Sequence, residues 1–108
     1  MNLSFYQEQA ITTAVYPQET SVMYPAMGLA GEAGEVLNKI KKVYRDKGGV
    51  FDTDTKQEIA KELGDVLWYV AVLARDLDQN LEDTAKDNLR KLQDRMRRGV
   101  IGGEGDNR

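Results

Sequence analysis

Four acidic side chains in two matched pairs carry the chemistry of this chain. Leu29 to Leu37 reads LAGEAGEVL and Ile59 to Leu67 reads IAKELGDVL, two nine-residue stretches 30 residues apart that agree at five positions. Glu32 corresponds to Glu62, Glu35 to Asp65 and Gly34 to Gly64. On a helix, carboxylates at i and i+3 point about 60° apart on one flank, with about 5–6 Å between their Cβ atoms. A solvated acidic face usually carries Lys or Arg at i±3 or i±4, and neither Glu32 nor Glu62 has one. Two such pairs brought together repel each other unless a cation sits between them. Oxygen donors alone suit a hard cation. Mg²⁺ fits best, because it keeps waters and shares its coordination with substrate phosphates.

The missing residue types narrow the chemistry further. The chain has no cysteine and no histidine, which excludes disulfides, thiolate zinc sites, imidazole ligands and histidine bases. Ferritin-like di-iron bundles need Glu-x-x-His pairs and are excluded with them. The net charge of −3 offers no basic field for nucleic acid. No run approaches the roughly 18–20 apolar residues that span a bilayer, and MNLSFYQEQ does not read as a signal peptide, so a cytoplasmic protein with no membrane partner is expected.

These acids need helices to position them, and the apolar spacing is helical almost to the end of the chain. At 108 residues, one all-α domain over 1–108 is expected. Ser4 with Gln7 resembles a capping box opening a first helix near residues 4 to 15. A second helix runs from about Pro25 to Lys47, ended by Gly48-Gly49, with Leu29, Ala33, Val36, Ile40 and Val43 as its core stripe. A third starts after Asp54 or Thr55, where Thr55 and Glu58 offer a capping box, and reaches about Leu77. Its stripe is Ile59, Leu63, Val66, Val70, Leu73 and Leu77. Between Val66 and Ala74 it is apolar nearly all round, which points to cover by a partner subunit. Asn80 caps a fourth helix that turns Leu81, Ala85, Leu89 and Leu92 inward and stops at Gly99. The glycine-rich GVIGGEGDNR is a tail or arm. If the second and third helices pack antiparallel through their stripes, the four acids converge on one edge. Gly34 and Gly64 then imply close helix approach, offsetting the roughly 1 kcal/mol that glycine costs in a helix interior.

At these residues the sequence resembles the MazG-like all-α nucleoside triphosphate pyrophosphohydrolases. The resemblance rests on Glu32-Ala-Gly-Glu35 and Glu62-Leu-Gly-Asp65, separated by 26 residues and followed by the LGDVLWY context. It implies a four-helix-bundle-like fold with a short first helix, two long antiparallel central helices and a C-terminal helix, shared across a dimer or tetramer. It also implies hydrolysis of nucleoside triphosphates between the α- and β-phosphates, with Mg²⁺ or Mn²⁺ bound by Glu32, Glu35, Glu62 and Asp65. The physics is consistent, since an acidic site can hold an anionic phosphate chain only through bridging metal ions. Without histidine, a carboxylate or a hydroxide held by the metal must act as base, and Glu35 or Glu32 is the candidate for orienting the water.

The resemblance extends to Asn88, Lys91 and Arg95, which look like the family's triphosphate-contacting Asn-x-x-Lys segment and following Arg, and which lie beside the apolar stripe of the fourth helix. Arg97 and Arg98 instead suit the negative end of the helix dipole. Tyr69, one turn after Asp65, matches a position that touches nucleotide. Lys39, four residues after Glu35, either pairs with that acid or reaches a phosphate. Trp68 faces away from the stripe and is expected at a subunit interface, while Phe5 and Tyr6 are candidate base contacts or core residues. The reading from another class is a non-catalytic helical dimerisation or regulatory module that binds nucleotide or metal.

Overall fold

The computed structural model describes residues 1–108 and is all-helical: α1 (Leu3–Ile11), a 3₁₀ turn (Gln18–Thr20), α2 (Met23–Asp46), α3 (Thr53–Asp76) and α4 (Leu81–Arg97). Helix ends follow local capping chemistry. Asn2, not Ser4, caps α1 by accepting from the Phe5 N–H at 2.8 Å. The helix stops at Ile11 because Thr12 and Thr13 turn their hydroxyls back onto the carbonyls of Gln9 and Ala10. Asp52, not Thr55, caps α3, accepting from Thr55 N–H at 2.8 Å, so that helix begins two residues before the Thr55 capping box expected from sequence. Asn80 caps α4 as expected, and Gly99 at φ 72° ends it through the Val100 N–H bond to the Arg95 carbonyl.

The entry to α2 is strained. Val22 has φ 70° and ψ −55°, and the Met23 N–H bonds the Ser21 carbonyl at 2.8 Å, which is a γ-turn centred on a β-branched residue. Asp76, at the far end of α3, holds this turn. Its carboxylate accepts from the Val22 N–H at 3.0 Å and the Tyr16 hydroxyl at 2.6 Å, and pairs with Arg75 at 2.8 Å. Burial by itself would raise the Asp76 pKa, but these hydrogen bonds and the Arg75 charge outweigh it and hold it below the usual carboxylate value.

α2 and α3 form the long antiparallel pair, and α1 and α4 pack at one end of it. There Gln7 is a buried staple. Its amide donates to the carbonyls of Ala71 and Gln79 and accepts from the Leu81 N–H, which ties α1 to the α3–α4 turn with no polar atom left unpaired. The core of Ala10, Ala71, Val72 and Leu81 lies around this staple, with Leu3, Tyr6 and Trp68 against it.

The expected stripes are only partly covered. Val43 is buried and Leu29, Val36, Ile40, Ile59, Val66, Val70 and Leu73 are half-buried, but Ala33, Leu63 and Leu77 are exposed. On α4, Leu81 is buried, whereas Leu89 and Leu92 face solvent rather than inward. The reason is geometric: α4 packs only sparsely on α1 and α3, which leaves Leu89 and Leu92 open. The radius of gyration is 16.8 Å, against about 13 Å for a compact domain of this length. Gly34 and Gly64 also differ from expectation, since a methyl group at either would meet no atom within 4 Å. They mark open helix surface within the chain.

The tail after Gly99 forms no helix or strand, yet it folds back on α4. Asp106 accepts from Lys91 at 2.7 Å and from Arg95 at 3.1 Å, and Arg108 donates to the carbonyls of Ile101, Gly102 and Gly105.

Candidate active site

The antiparallel packing sets Gly28 beside Tyr69 and Glu32 beside Glu62 and Asp65. The carboxylates of Glu32, Glu62 and Asp65 offer oxygens that all lie within 4.8 Å of one another, the first from α2 and the other two from α3. Glu35 stands outside this trio on the exposed flank of α2, though its charge still acts on Glu32. Partial burial, a hydrogen bond shared with Glu62, and the charges of Asp65, Glu62 and Glu35 all push the Glu32 pKa upward. That is the mark of carboxylates held closer than their charges favour. Lys39 reaches across the groove to Glu62, Nζ to Oε1 3.8 Å, rather than pairing with Glu35 on its own helix.

At the acids, on the side toward α1, lies a cavity of about 200 Å³ lined by Glu32, Asp65, Trp68 and Tyr69. Tyr69 meets Trp68 edge to face at 4.9 Å. Trp68 packs, partly buried, against the core of its own chain, and its indole N–H donates to Thr13 Oγ1 at 2.8 Å. Burial first, then the neighbouring Tyr24 hydroxyl and the Glu32 and Asp65 charges, raise the Tyr69 pKa, so its hydroxyl is a neutral donor. Tyr6 from α1 is raised likewise by burial and by the Asp65 charge, which places it on the acidic side of the same region. Phe5 is about half exposed. Tyr16 stacks on Tyr24 at 4.7 Å.

The α4 residues singled out from sequence lie apart from the acids. Asn88 is exposed, Lys91 and Arg95 are bound by Asp106 of the tail, and no hydrogen bond or ion pair joins any of the three to Glu32, Glu35, Glu62 or Asp65. Arg95 is 4 % exposed, the most deeply buried charged residue.

Two residues of this region carried little signal in the sequence. Trp68 lay off the apolar stripe, and only the bend that brings Thr13 over α3 turns it inward. Gly28 resembled any glycine near a helix start, whereas in the fold it is the floor on which the Tyr69 ring rests.

Comparison with known proteins agrees with this arrangement. The MazG nucleotide pyrophosphohydrolase domain model matches residues 21–100, a span that holds all four acids and α2 to α4. The chain belongs to the MazG family. The all-helical fold without strands is that family's fold, and the Glu-x-x-Glu and Glu-x-x-Asp segments of this MazG domain are the ones that face each other across α2 and α3. The chain is also similar to the Gene 37 protein of Mycobacterium phage L5, 48 % identical over 114 residues and covering 100 % of both chains. No solved structure matches it. No helix is long and apolar enough to cross a membrane.

Proposed function

We propose that this MazG protein hydrolyses nucleoside triphosphates between the α- and β-phosphates, releasing a nucleoside monophosphate and pyrophosphate, as a nucleotide-pool cleaning activity over the whole of residues 1–108. The observation that carries the reading is the meeting of Glu32, Glu62 and Asp65 across two helices, with oxygens within 4.8 Å, beside a cavity walled by Trp68 and Tyr69.

The donor set fits a divalent cation. It is all oxygen, converges from both helices, and contains a carboxylate whose pKa is raised by partial burial and then by its acidic neighbours. Glu32, Glu62 and Asp65, with Glu35 as the fourth acid, would hold Mg²⁺, with Mn²⁺ able to replace it. Bound there, the ion neutralises phosphate charge and lowers the pKa of an attacking water. Glu35, outside the trio yet on the same flank of α2, is the acid that would also orient the water and take its proton. Tyr69 offers a hydroxyl to the nucleoside, and Trp68 beside it an aromatic wall. Asn88, Lys91 and Arg95 are proposed as triphosphate contacts on the family resemblance, and substrate would compete with Asp106 for the last two.

A homo-oligomer, dimer or tetramer, belongs to the same proposal. Met27, Leu37, Leu63, Leu67, Leu89 and Met96 are exposed large apolar side chains, Gly34 and Gly64 present bare helix surface, and the chain is more open than its length requires. A second copy of the same chain covers such a face by symmetry. A cytoplasmic setting, where nucleotide pools lie, fits both parts.

The test is to incubate the purified protein with each NTP and dNTP plus Mg²⁺ and separate pyrophosphate from orthophosphate. Stoichiometric monophosphate and pyrophosphate is the expected result. Orthophosphate alone, or no turnover of any triphosphate, counts against it. Light scattering showing a monomer would remove the oligomer.

A further inference from the structure

The groove between α2 and α3 holds two cavities, one with Glu32 and Asp65 of the acidic trio in its own walls and the other starting at Lys39 beside Glu62. Toward α1 lies the cavity with Trp68 and Tyr69. On the other side, between the C-terminal half of α2 and the N-terminal half of α3, lies one of about 240 Å³ whose walls include Lys39, Lys42 and Lys47 with Asp46, Thr55 and Glu58. Three of these six groups are already committed. Asp46 is held by both donor nitrogens of Arg45 at 2.8 Å, and Lys47 donates to Thr55 Oγ1 at 2.6 Å. Lys42 makes no hydrogen bond or ion pair of its own, and Lys39 approaches only Glu62, at 3.8 Å, beyond hydrogen-bonding distance.

The groove thus runs aromatic, acidic, basic along one line. Lys39 stands at the junction, since its ammonium is the one group that lines the basic cavity and also lies within 4 Å of an acid of the trio. Lys42 follows about 4.5 Å further along α2, at 1.5 Å per residue. A nucleoside triphosphate has the same order of chemistry: an aromatic base, a phosphate at the bond to be cut, and a strongly anionic terminal diphosphate.

We propose that the cavity between the C-terminal half of α2 and the N-terminal half of α3 is a pyrophosphate subsite in which Lys39 and Lys42 bind the terminal diphosphate of the substrate and the pyrophosphate released from it. The inference rests on the hydrolytic reading above and adds a direction to it, with the nucleoside at the Trp68–Tyr69 end and the leaving group at the lysine end. Lysines serve here as point charges for phosphate oxygens.

The experiment titrates inorganic pyrophosphate with Mg²⁺, and in parallel each of the four deoxynucleoside monophosphates, into wild type, Lys39→Met/Lys42→Met, Lys42→Met alone, and the remote charge control Lys86→Met. Methionine keeps the apolar stem, and Lys42 is exposed, so the single variant retains the fold if the double does not. The double variant is expected to bind pyrophosphate at least tenfold more weakly and Lys42→Met about threefold, with monophosphate binding unchanged. Pyrophosphate binding equal to wild type in both variants, or an equal loss in Lys86→Met, overturns the subsite. Turnover assays separate the two readings. Lysine-dependent pyrophosphate binding in a protein that cleaves no triphosphate keeps the subsite and removes the reaction. Normal turnover with an unchanged KM in the double variant keeps the reaction and removes the subsite.

Discussion

The ring of Tyr69 occupies the space that a side chain on Gly28 would need. A Cβ at Gly28 would lie 2.1 Å from Tyr69 Cε1 and 2.4 Å from its Cζ, far inside van der Waals contact. α2 and α3 therefore approach closely at the aromatic end of the groove, and the glycine fixes where the Tyr69 hydroxyl points. Gly28→Ala should gain about 1 kcal/mol of helix propensity but force the ring away, for a net destabilisation of about 1–3 kcal/mol. The variant should also lose kcat/KM while its Mg²⁺ affinity stays near wild type. Thermal unfolding and metal titration check both parts, and an unchanged melting temperature with full activity would count against the close approach.

Gly34→Ala and Gly64→Ala should behave in the opposite way within one chain. Neither methyl group meets an atom within 4 Å, so each should stabilise the helices by up to about 1 kcal/mol. If a second copy packs on that face, the same substitutions should instead weaken self-association. Urea unfolding read beside light scattering at several protein concentrations distinguishes the outcomes.

Replacing Glu32 or Glu62 by Gln removes one donor of the trio and one source of mutual repulsion. Mg²⁺ affinity and triphosphate turnover should each fall by about 100-fold or more, at or above the upper end for losing an outer-shell partner. The melting temperature measured in a chelator should stay the same or rise, because like charges have been separated. A variant that binds Mg²⁺ as wild type does would remove that residue from the metal site.

Asp76 stabilises the fold through charge. Its carboxylate is 4 % exposed and serves Tyr16, Arg75 and the strained Val22 turn at once. Asp76→Ala should cost about 3 kcal/mol, the scale for breaking a buried charged network. Its folded pKa is depressed, so its contribution is fully present well above the unfolded value of about 3.9 and is lost as pH falls through the folded value. The stability gap between wild type and variant should be flat above about pH 5 and shrink steadily below it. A gap that widens on acidification would contradict the sign.

Much of this was legible in the chain itself. The duplicated acid pairs, the helical period, Asn80 as a cap and the glycines at 48–49 and 99 are local signals, and they place α2, α3 and α4 to within a few residues. Such features depend on neighbours in sequence, where spacing and capping chemistry act directly. The α1 boundaries were misread because Asn2 outcompeted Ser4 as the cap and because the Thr12 and Thr13 hydroxyls end the helix early.

What required the tertiary structure is everything that passes between helices. Sequence placed Glu32, Glu35, Glu62 and Asp65 on matching flanks, but only the packing of α2 on α3 draws three of them together and leaves Glu35 at the edge. The Lys39 link to Glu62, the inward turn of Trp68 under Thr13 and the Tyr69 ring over Gly28 each join residues far apart in the chain. No local period encodes such pairings. They follow from the crossing and depth of two helices, which the sum of many side-chain volumes decides.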